Sequence, residues 1–155
     1  MAWFKENFNK KIRLRIYFLI IILIFFSLFF YKIFHNRSIL KAGDCIFTIE
    51  IADTLESQYQ GLSNRETLCE KCAMLFLFPE KKDLKFVMRD MNFPLDIIFI
   101  ANREIINFYE NAEPEDSDPK LIYSSSLKAD TILEINAGMI KKCNINNSDI
   151  ISWSN

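Results

Sequence analysis

The chain has 155 residues, which suits a single domain, and its formal net charge at pH 7 is only −1. Residues 1–41 hold eight lysines and arginines against one acid, a charge of +7, and residues 42–155 carry the compensating −8. The acidic segment lacks the basic runs that bind nucleic-acid phosphates, which excludes a nucleic acid as partner. The single histidine, His35, precedes that segment, so histidine triads and histidine metal sites are excluded there.

Residues 1–15 form a basic leader, and an uncharged, phenylalanine-rich run follows it. The run IYFLIIILIFFSLFFY covers residues 16–31, and Lys32 can extend it to residue 34 by reaching toward the polar interface. A helix of this length nearly crosses an apolar layer about 30 Å thick. We therefore expect a single transmembrane anchor over residues 16–34, embedded in the lipid bilayer.

The alternatives to an anchor are a cleaved signal peptide and a buried helix of a soluble protein. Large and charged residues follow the run, where a cleavage site needs small ones, so an uncleaved signal anchor is favoured. Five lysines and arginines precede the run and three follow it. This asymmetry predicts a single-pass protein of the cell membrane with a cytoplasmic N-terminus and an extracytoplasmic C-terminal domain, where disulfides can form.

After a short tether at residues 35–43, residues 44–155 are expected to form one domain. Apolar and polar residues alternate along Cys45–Ala52, which is typical of a half-buried strand. Short strands dominate, so we predict an α+β domain, mainly antiparallel β, barrel-like or a sandwich, with one or two short helices, preceded by one transmembrane helix. The other predicted elements are strands at 74–78, 84–88, 95–101, 104–109, 131–135 and 149–153, and a short helix at 137–143.

A first helix is predicted just after the first strand of the domain. Thr54 can act as its N-cap, and the helix should end at residues 61–63. Leu55, Tyr59 and Leu62 fall on one side of it, which predicts a buried apolar face.

Four segments in order carry a resemblance to a known family: ADTLESQYQGLSNRETL (52–68), AMLFLF (73–78), KFVMRDMNFPLDIIFI (85–100) and YSSSLKADTILEINAG (123–138). Together they resemble domain of unknown function family 192, a group of small, often exported or membrane-anchored domains. The resemblance implies the fold of the exposed domain, but no activity, because none is settled for the family. Its most specific residues are Phe86, Met88, Arg89, Pro94, Leu95 and Asp96.

The chain departs from the family pattern at several positions. Val87 stands where the family usually has Trp, and Asp90 where it usually has Asn. Many relatives carry a cysteine pair in the loop equivalent to residues 112–120, whereas this chain has Cys69-x-x-Cys72 instead. The first departure removes an aromatic ring that could line a cleft, and the second adds a charge.

The four cysteines allow three disulfide pairings, and we favour Cys69 with Cys72 and Cys45 with Cys143. Free thiols, a redox-active pair and a zinc site are the other interpretations. A redox-active cysteine usually opens a helix, but Cys72 leads into a predicted strand. A zinc ribbon needs two closely spaced pairs, which are absent, so no metal and no cofactor are expected.

A polar set that includes Asp53 is the second candidate site. Asp96 interrupts an apolar strand, so its carboxylate must be paired or must face a cleft, and Arg65 or Arg89 could pair with it. A structural ion pair, a turn cap, a ligand site and paired-carboxylate catalysis all fit this pattern. The candidate ligand-binding residues are Arg65, Met88, Arg89, Asp90 and Asp96.

The leading hypothesis is a membrane-anchored domain that binds an envelope protein or a small polar ligand such as a saccharide. Binding is favoured over catalysis because the sequence contains no assembled catalytic set. One alternative is an enzyme, either a thiol–disulfide oxidoreductase using Cys69 and Cys72 or a hydrolase using the Asp/Arg set. Another is a purely structural assembly module.

Overall fold

The computed structural model describes Arg15, residues 17–27 and residues 38–154. The chain divides into two compact units between residues 37 and 38. Residues 17–27 are helical, with exposed side chains. Within the described ranges no helix is long and apolar enough to cross a membrane. The rest of the predicted anchor and, apart from Arg15, the basic leader lie outside the described residues.

A seven-stranded sheet forms the second unit, in the order β6-β5-β8-β3-β2-β1-β9. All neighbouring strands are antiparallel except β2 and β3, which are parallel. A separate two-stranded sheet pairs β4 with β7. The elements are β1 (Ile39–Ala42), β2 (Cys45–Ala52), α1 (Leu55–Gln60), β3 (Cys72–Lys82), β4 (Lys85–Phe86), β5 (Leu95–Ala101), β6 (Glu104–Ala112), β7 (Tyr123–Ser124), β8 (Ala129–Asn136), α2 (Met139–Lys142) and β9 (Ser152–Ser154).

The two edges of the large sheet meet at one end. Glu104 at the start of β6 forms an antiparallel bridge with Ile150, which lies just before β9. The amide of Ile105 donates to the carbonyl of Asp149 at 3.0 Å, and the amide of Ile151 donates to the carbonyl of Arg103 at 2.8 Å. The sheet is therefore curled into a barrel-like form with few short helices, as the α+β prediction required.

The large sheet is apolar on both faces. Along β8, Leu133 and Ile135 contribute to one core, while Ile132 contributes to another, because alternate residues of a strand point to opposite faces. We call these the first core and the second core. The first core includes Phe47, Leu75, Ile98, Met139 and Ile140 of α2, and the second includes Met74, Phe76, Leu95, Ile97 and Phe99.

Helix α1 begins as predicted, but its apolar face is not buried. The hydroxyl of Thr54 accepts a hydrogen bond from the amide of Ser57 at 3.1 Å, and the hydroxyl of Ser57 accepts one from the amide of Thr54 at 3.0 Å. Leu55 is 88% exposed and Tyr59 is 73% exposed, whereas Leu62, beyond the helix, is buried. The capping box therefore positions a helix that presents Tyr59 at the surface.

Several strand bounds differ from those predicted. Strand β1 occupies residues that the sequence suggested as tether, and it pairs with both β2 and β9. Strand β3 is extended at both ends relative to the predicted 74–78. Strand β4 covers only two of the residues predicted as strand 84–88, because its partner β7 is equally short.

Two disulfides are present, in the pairing that the sequence analysis favoured. Cys45 at the start of β2 is joined to Cys143 at the end of α2, and Cys69 is joined to Cys72. No cysteine in the described part of the chain is free. The disulfide between Cys45 and Cys143 joins α2 to the hairpin formed by β1 and β2.

We expect Gly43→Ala to destabilise the domain far more than Gly138→Ala. Both glycines have positive φ, so both substitutions incur the left-handed penalty of about 1–2 kcal/mol. A Cβ on Gly43 would also lie 2.1 Å from the carbonyl oxygen of Cys143, whereas nothing lies within 4 Å of one on Gly138. Urea unfolding of the two variants should differ by a further ~1–3 kcal/mol, and equal losses would contradict the close approach.

Candidate functional site

Asp96 is a structural carboxylate at a junction of three elements. Its Oδ1 accepts a hydrogen bond from the amide of Asn111 in β6 at 2.9 Å, and its Oδ2 accepts one from the amide of Ile140 in α2 at 2.8 Å. Helix α2 has Gly138 at its N-cap and therefore no side-chain cap of its own. Asp96 is fully buried, and neither arginine considered as its partner forms a hydrogen bond or ion pair with it in the described residues.

Arg65 pairs with Glu50 instead of Asp96. Its two terminal nitrogens donate to the two carboxylate oxygens of Glu50 at 2.7 and 2.8 Å. The hydrogen bond from Arg65 lowers the pKa of Glu50 below its ordinary value. This ion pair is partly exposed and joins β2 to the loop that follows α1, so Arg65 holds that loop against the strand.

Arg89 packs against the surface tyrosine of α1. Its guanidinium carbon lies 4.0 Å from the centre of the Tyr59 ring, and its Nη2 donates to the Tyr59 carbonyl at 2.8 Å. The carboxylate of Asp90 lies 3.6 Å from its Nε. Met88 is buried in the second core, and Asp53 is exposed. The predicted polar residues therefore do not form a single cluster.

A cavity of about 210 Å³ lies beside Arg89. Residues 58–63, from α1 and the turn after it, form one part of the wall, and a second part comes from β4 and the segment after it, through Lys85, Phe86, Val87, Arg89 and Met91. Phe76 from β3 and Glu134 from β8 also line the cavity. The cavity therefore borders the second core of the sheet.

Glu134 is a candidate site residue that the sequence analysis did not identify. It is only 5% exposed, and its register partners on the neighbouring strands are Met74 and Ile97. No described residue forms a hydrogen bond or ion pair with its carboxyl group. Burial raises the pKa of Glu134 to about 8, so the group is mainly protonated at neutral pH.

A signal for Glu134 was present in the sequence. The run TILEI places an acid among apolar residues of a strand, which is the same pattern that identified Asp96. The two acids face opposite sides of the sheet, because Asp96 is paired with Ile135 and Glu134 with Ile97. Asp96 finds its partners in the first core, and Glu134 faces the cavity.

Aromatic and cationic side chains surround the cavity. The rings of Phe76 and Phe86 meet edge to face with their centres 4.8 Å apart. Lys85 is exposed and Arg89 is partly exposed, so both place positive charge near the solvent side. The carboxyl group of Glu134 is therefore buried, whereas the charges of Lys85 and Arg89 lie nearer the solvent.

Three polar side chains of the cavity wall are fixed by backbone hydrogen bonds. The side-chain amide nitrogen of Gln58 donates to the carbonyl of Leu77 at 2.7 Å, and that of Gln60 donates to the carbonyl of Ser63 at 3.0 Å. The hydroxyl of Ser63 donates to the carbonyl of Arg89 at 2.8 Å. Their oxygen atoms can still accept hydrogen bonds from a ligand.

The Cys69–Cys72 disulfide closes a turn in front of β3. The amide of Cys72 donates to the carbonyl of Cys69 at 2.9 Å, and Asn136 of β8 donates to the same oxygen at 2.9 Å. This disulfide does not open a helix, unlike the dithiol sites whose cysteine pKa is lowered by a helix dipole. Among the described residues, no group of three or more His, Cys, Asp or Glu could hold a metal ion.

We expect Asp96→Asn to lower the free energy of unfolding by about 1–3 kcal/mol. An amide replaces one acceptor oxygen with a donor, so the amide of Asn111 or of Ile140 loses its buried partner. Asp53→Asn, at an exposed position, is the matched control and should leave the urea midpoint unchanged. Equal stability of the two variants would contradict the role assigned to Asp96.

We expect Glu134→Gln to stabilise the domain in a pH-dependent way. Above about pH 4.5 the unfolded chain ionises this carboxyl, whereas the folded protein keeps it protonated up to about pH 8. The wild type therefore loses stability across that window by up to roughly 1.4 kcal/mol per pH unit, and the amide variant does not. Melting temperatures between pH 5 and 9 check this, with exposed Glu80→Gln as control; a pH-independent difference would contradict it.

Two solved structures are similar to this chain. One is a protein from Sinorhizobium meliloti 1021 named as a candidate transcription regulator, with 29% identity, a TM-score of 0.68, and coverage of 76% of this chain and 92% of that one. The other is a protein of unknown function from Novosphingobium aromaticivorans DSM 12444, with 28% identity, a TM-score of 0.68, and coverage of 76% and 84%. No curated protein matches the chain.

The family resemblance seen in the sequence is confirmed. The profile of DUF192, described as an uncharacterized ACR, matches residues 38–153, which include every strand of both sheets except the last residue of β9. The match begins one residue before β1, so the family domain contains the strand that the sequence suggested as tether. This chain belongs to the DUF192 family.

Proposed function

We propose that the cavity at Glu134 binds a small polar ligand, and that an N-terminal membrane anchor displays this binding domain outside the cell. The observation that carries the proposal is a buried carboxyl group without a partner that lines a cavity. The proposal of an anchor rests only on the sequence of residues 1–41, with its apolar run and the charges on either side of it.

An unpartnered acid is an expensive feature in the middle of a sheet. Buried polar groups are normally hydrogen-bonded, and each unsatisfied one costs about 1–3 kcal/mol. Asp96 on the other face obeys this rule with two amide donors. Glu134 has no hydrogen bond or ion pair with the described residues, and its register partners Met74 and Ile97 are apolar. A ligand group that hydrogen-bonds to Glu134 supplies the missing partner.

The size of the cavity limits the ligand to a small molecule. Its volume of about 210 Å³ is below the roughly 300–1,000 Å³ typical of sites for drug-sized ligands. Of the five ligand-binding candidates predicted from sequence, only Arg89 lines it. Asp90 supports the wall, because its carbonyl accepts a hydrogen bond from the amide of Asn64 at 2.8 Å.

The leader and the disulfides support display outside the membrane. The excess of positive charge before the apolar run favours a cytoplasmic N-terminus. The −8 charge of residues 42–155 disfavours adhesion of the domain to anionic lipid. Two disulfides fit an oxidising compartment, where such bonds persist.

Methionine methyl resonances can report occupancy of the cavity even while the ligand is unidentified. Met91 lines the cavity, whereas Met139 packs in the first core on the opposite face of the sheet. We expect at least one class in a panel of sugars, amino acids, organic acids and polyamines to shift the Met91 resonance of the full-length chain. The Met139 resonance should not move.

Two variants serve as controls for this measurement. Met91→Leu assigns the resonance, and Glu134→Leu should abolish the shift, because the cavity then has no buried polar group to bind. If no class of compound moves Met91, or if the shift survives in Glu134→Leu, the cavity at Glu134 is not the binding site.

Cysteine labelling in intact cells tests the proposed topology. Lys128→Cys introduces an exposed thiol into a domain whose own cysteines are paired. We expect an impermeant thiol reagent to label this variant in intact cells and to label Asn7→Cys only after lysis. The reverse pattern, or labelling of both only after lysis, would overturn display outside the cell.

A further inference from the structure

We infer that the ligand of the cavity is a neutral, hydroxyl-rich ring, a single saccharide unit, bound through Glu134 and the fixed side chains of the α1 wall. This inference rests on the binding function proposed above and adds the chemical class of the ligand. Hydrogen-bonding capacity, charge and surface shape each support it.

Hydrogen-bonding capacity favours a ligand with several donors. The side-chain nitrogens of Gln58 and Gln60 each donate one hydrogen bond to a backbone carbonyl, which fixes their side-chain oxygens as acceptors and leaves one N–H on each nitrogen. The hydroxyl of Ser63 donates its proton to the carbonyl of Arg89, so its oxygen is likewise available only as an acceptor. Glu134, as a neutral acid, can both donate and accept. A polyol offers donors and acceptors together and matches this set.

Charge disfavours ionic ligands of either sign. Lys85 and Arg89 place positive charge on the solvent side of the cavity, which opposes entry of an amine. An anion that entered would meet amide oxygens and a buried acid, and the positive charge of Arg89 is already partly compensated by the Tyr59 carbonyl and by Asp90. A neutral ligand avoids both penalties.

Surface shape favours a ring with apolar faces. Tyr59 is 73% exposed, and Arg89 stacks on its ring, so the tyrosine is held in place while most of its surface stays accessible. Phe86 is held by its edge-to-face contact with Phe76. A sugar ring carries hydroxyls on its edge and C–H groups on its faces, so one molecule can contact aromatic carbon and the fixed acceptors at once.

Matched sugars that differ only in charge test the inference. Glucose, glucosamine and glucuronate share one ring, and the panel repeats this trio for galactose and adds N-acetylglucosamine. The full-length chain is prepared in a detergent without a sugar headgroup, and the Met91 methyl shift is followed during each titration. We expect the best neutral sugar to shift Met91, and its amino and uronic acid forms to bind at least about tenfold more weakly.

Variants of Glu134 separate its role from general stability. Glu134→Gln keeps a donor and an acceptor and should retain binding, whereas Glu134→Leu should lose it. An unchanged Met139 resonance shows that each variant is folded. Val87→Trp, at the mouth of the cavity, should alter affinity without changing the preference for neutral sugars.

The outcomes distinguish the two proposals. If a charged compound shifts Met91 and neutral sugars do not, the saccharide inference is wrong and the binding function stands. If the charged and neutral members of a trio bind equally, the charge argument is wrong and the inference is overturned. If nothing in either panel shifts Met91, both proposals are wrong.

Discussion

Burial of the large sheet on both faces is the constraint on which this structure depends. In a sheet with one wet face, every second residue of a strand can be polar. Strands β5 and β8 have no such face, because their alternate residues enter the first and second cores. An acid in either strand must therefore find a partner inside the protein or line a cavity. Asp96 and Glu134 are the two solutions present in this fold.

The two acids have different surroundings on the two faces of the sheet. Asp96 replaces the cap that α2 lacks and holds β6 beside β5, so the first core is closed by a carboxylate. Glu134 forms no such hydrogen bond among the described residues, and the cavity that it lines is bordered by β4. The proposed binding cavity therefore lies on the face of the sheet where the buried acid has no protein partner.

The sequence predicted most of the strands because alternation and long apolar runs are local signals. It also predicted the helix after Thr54 and the departure into strand after Cys72. It did not predict the pairing of β4 with β7 or the bridge between Glu104 and Ile150, since both depend on contacts between distant segments. Asp96 was identified as a buried acid, but its partners were not. They are backbone amides, which almost every residue has, so no residue type in the sequence points to them. The same rule applied to Glu134 would have identified a second buried acid, but not the cavity beside it.

The disulfide between Cys45 and Cys143 also determines how the domain carries mechanical force. Every residue that lines the cavity at Glu134 lies between these two cysteines along the chain. A pull on Ser38 and Trp153 first separates β1 and β9 from the sheet and then reaches the covalent link. Tension passes from Cys45 directly to Cys143 and bypasses the segment between them. Stretching from the termini can therefore unravel the edge of the barrel while the cavity walls remain unloaded.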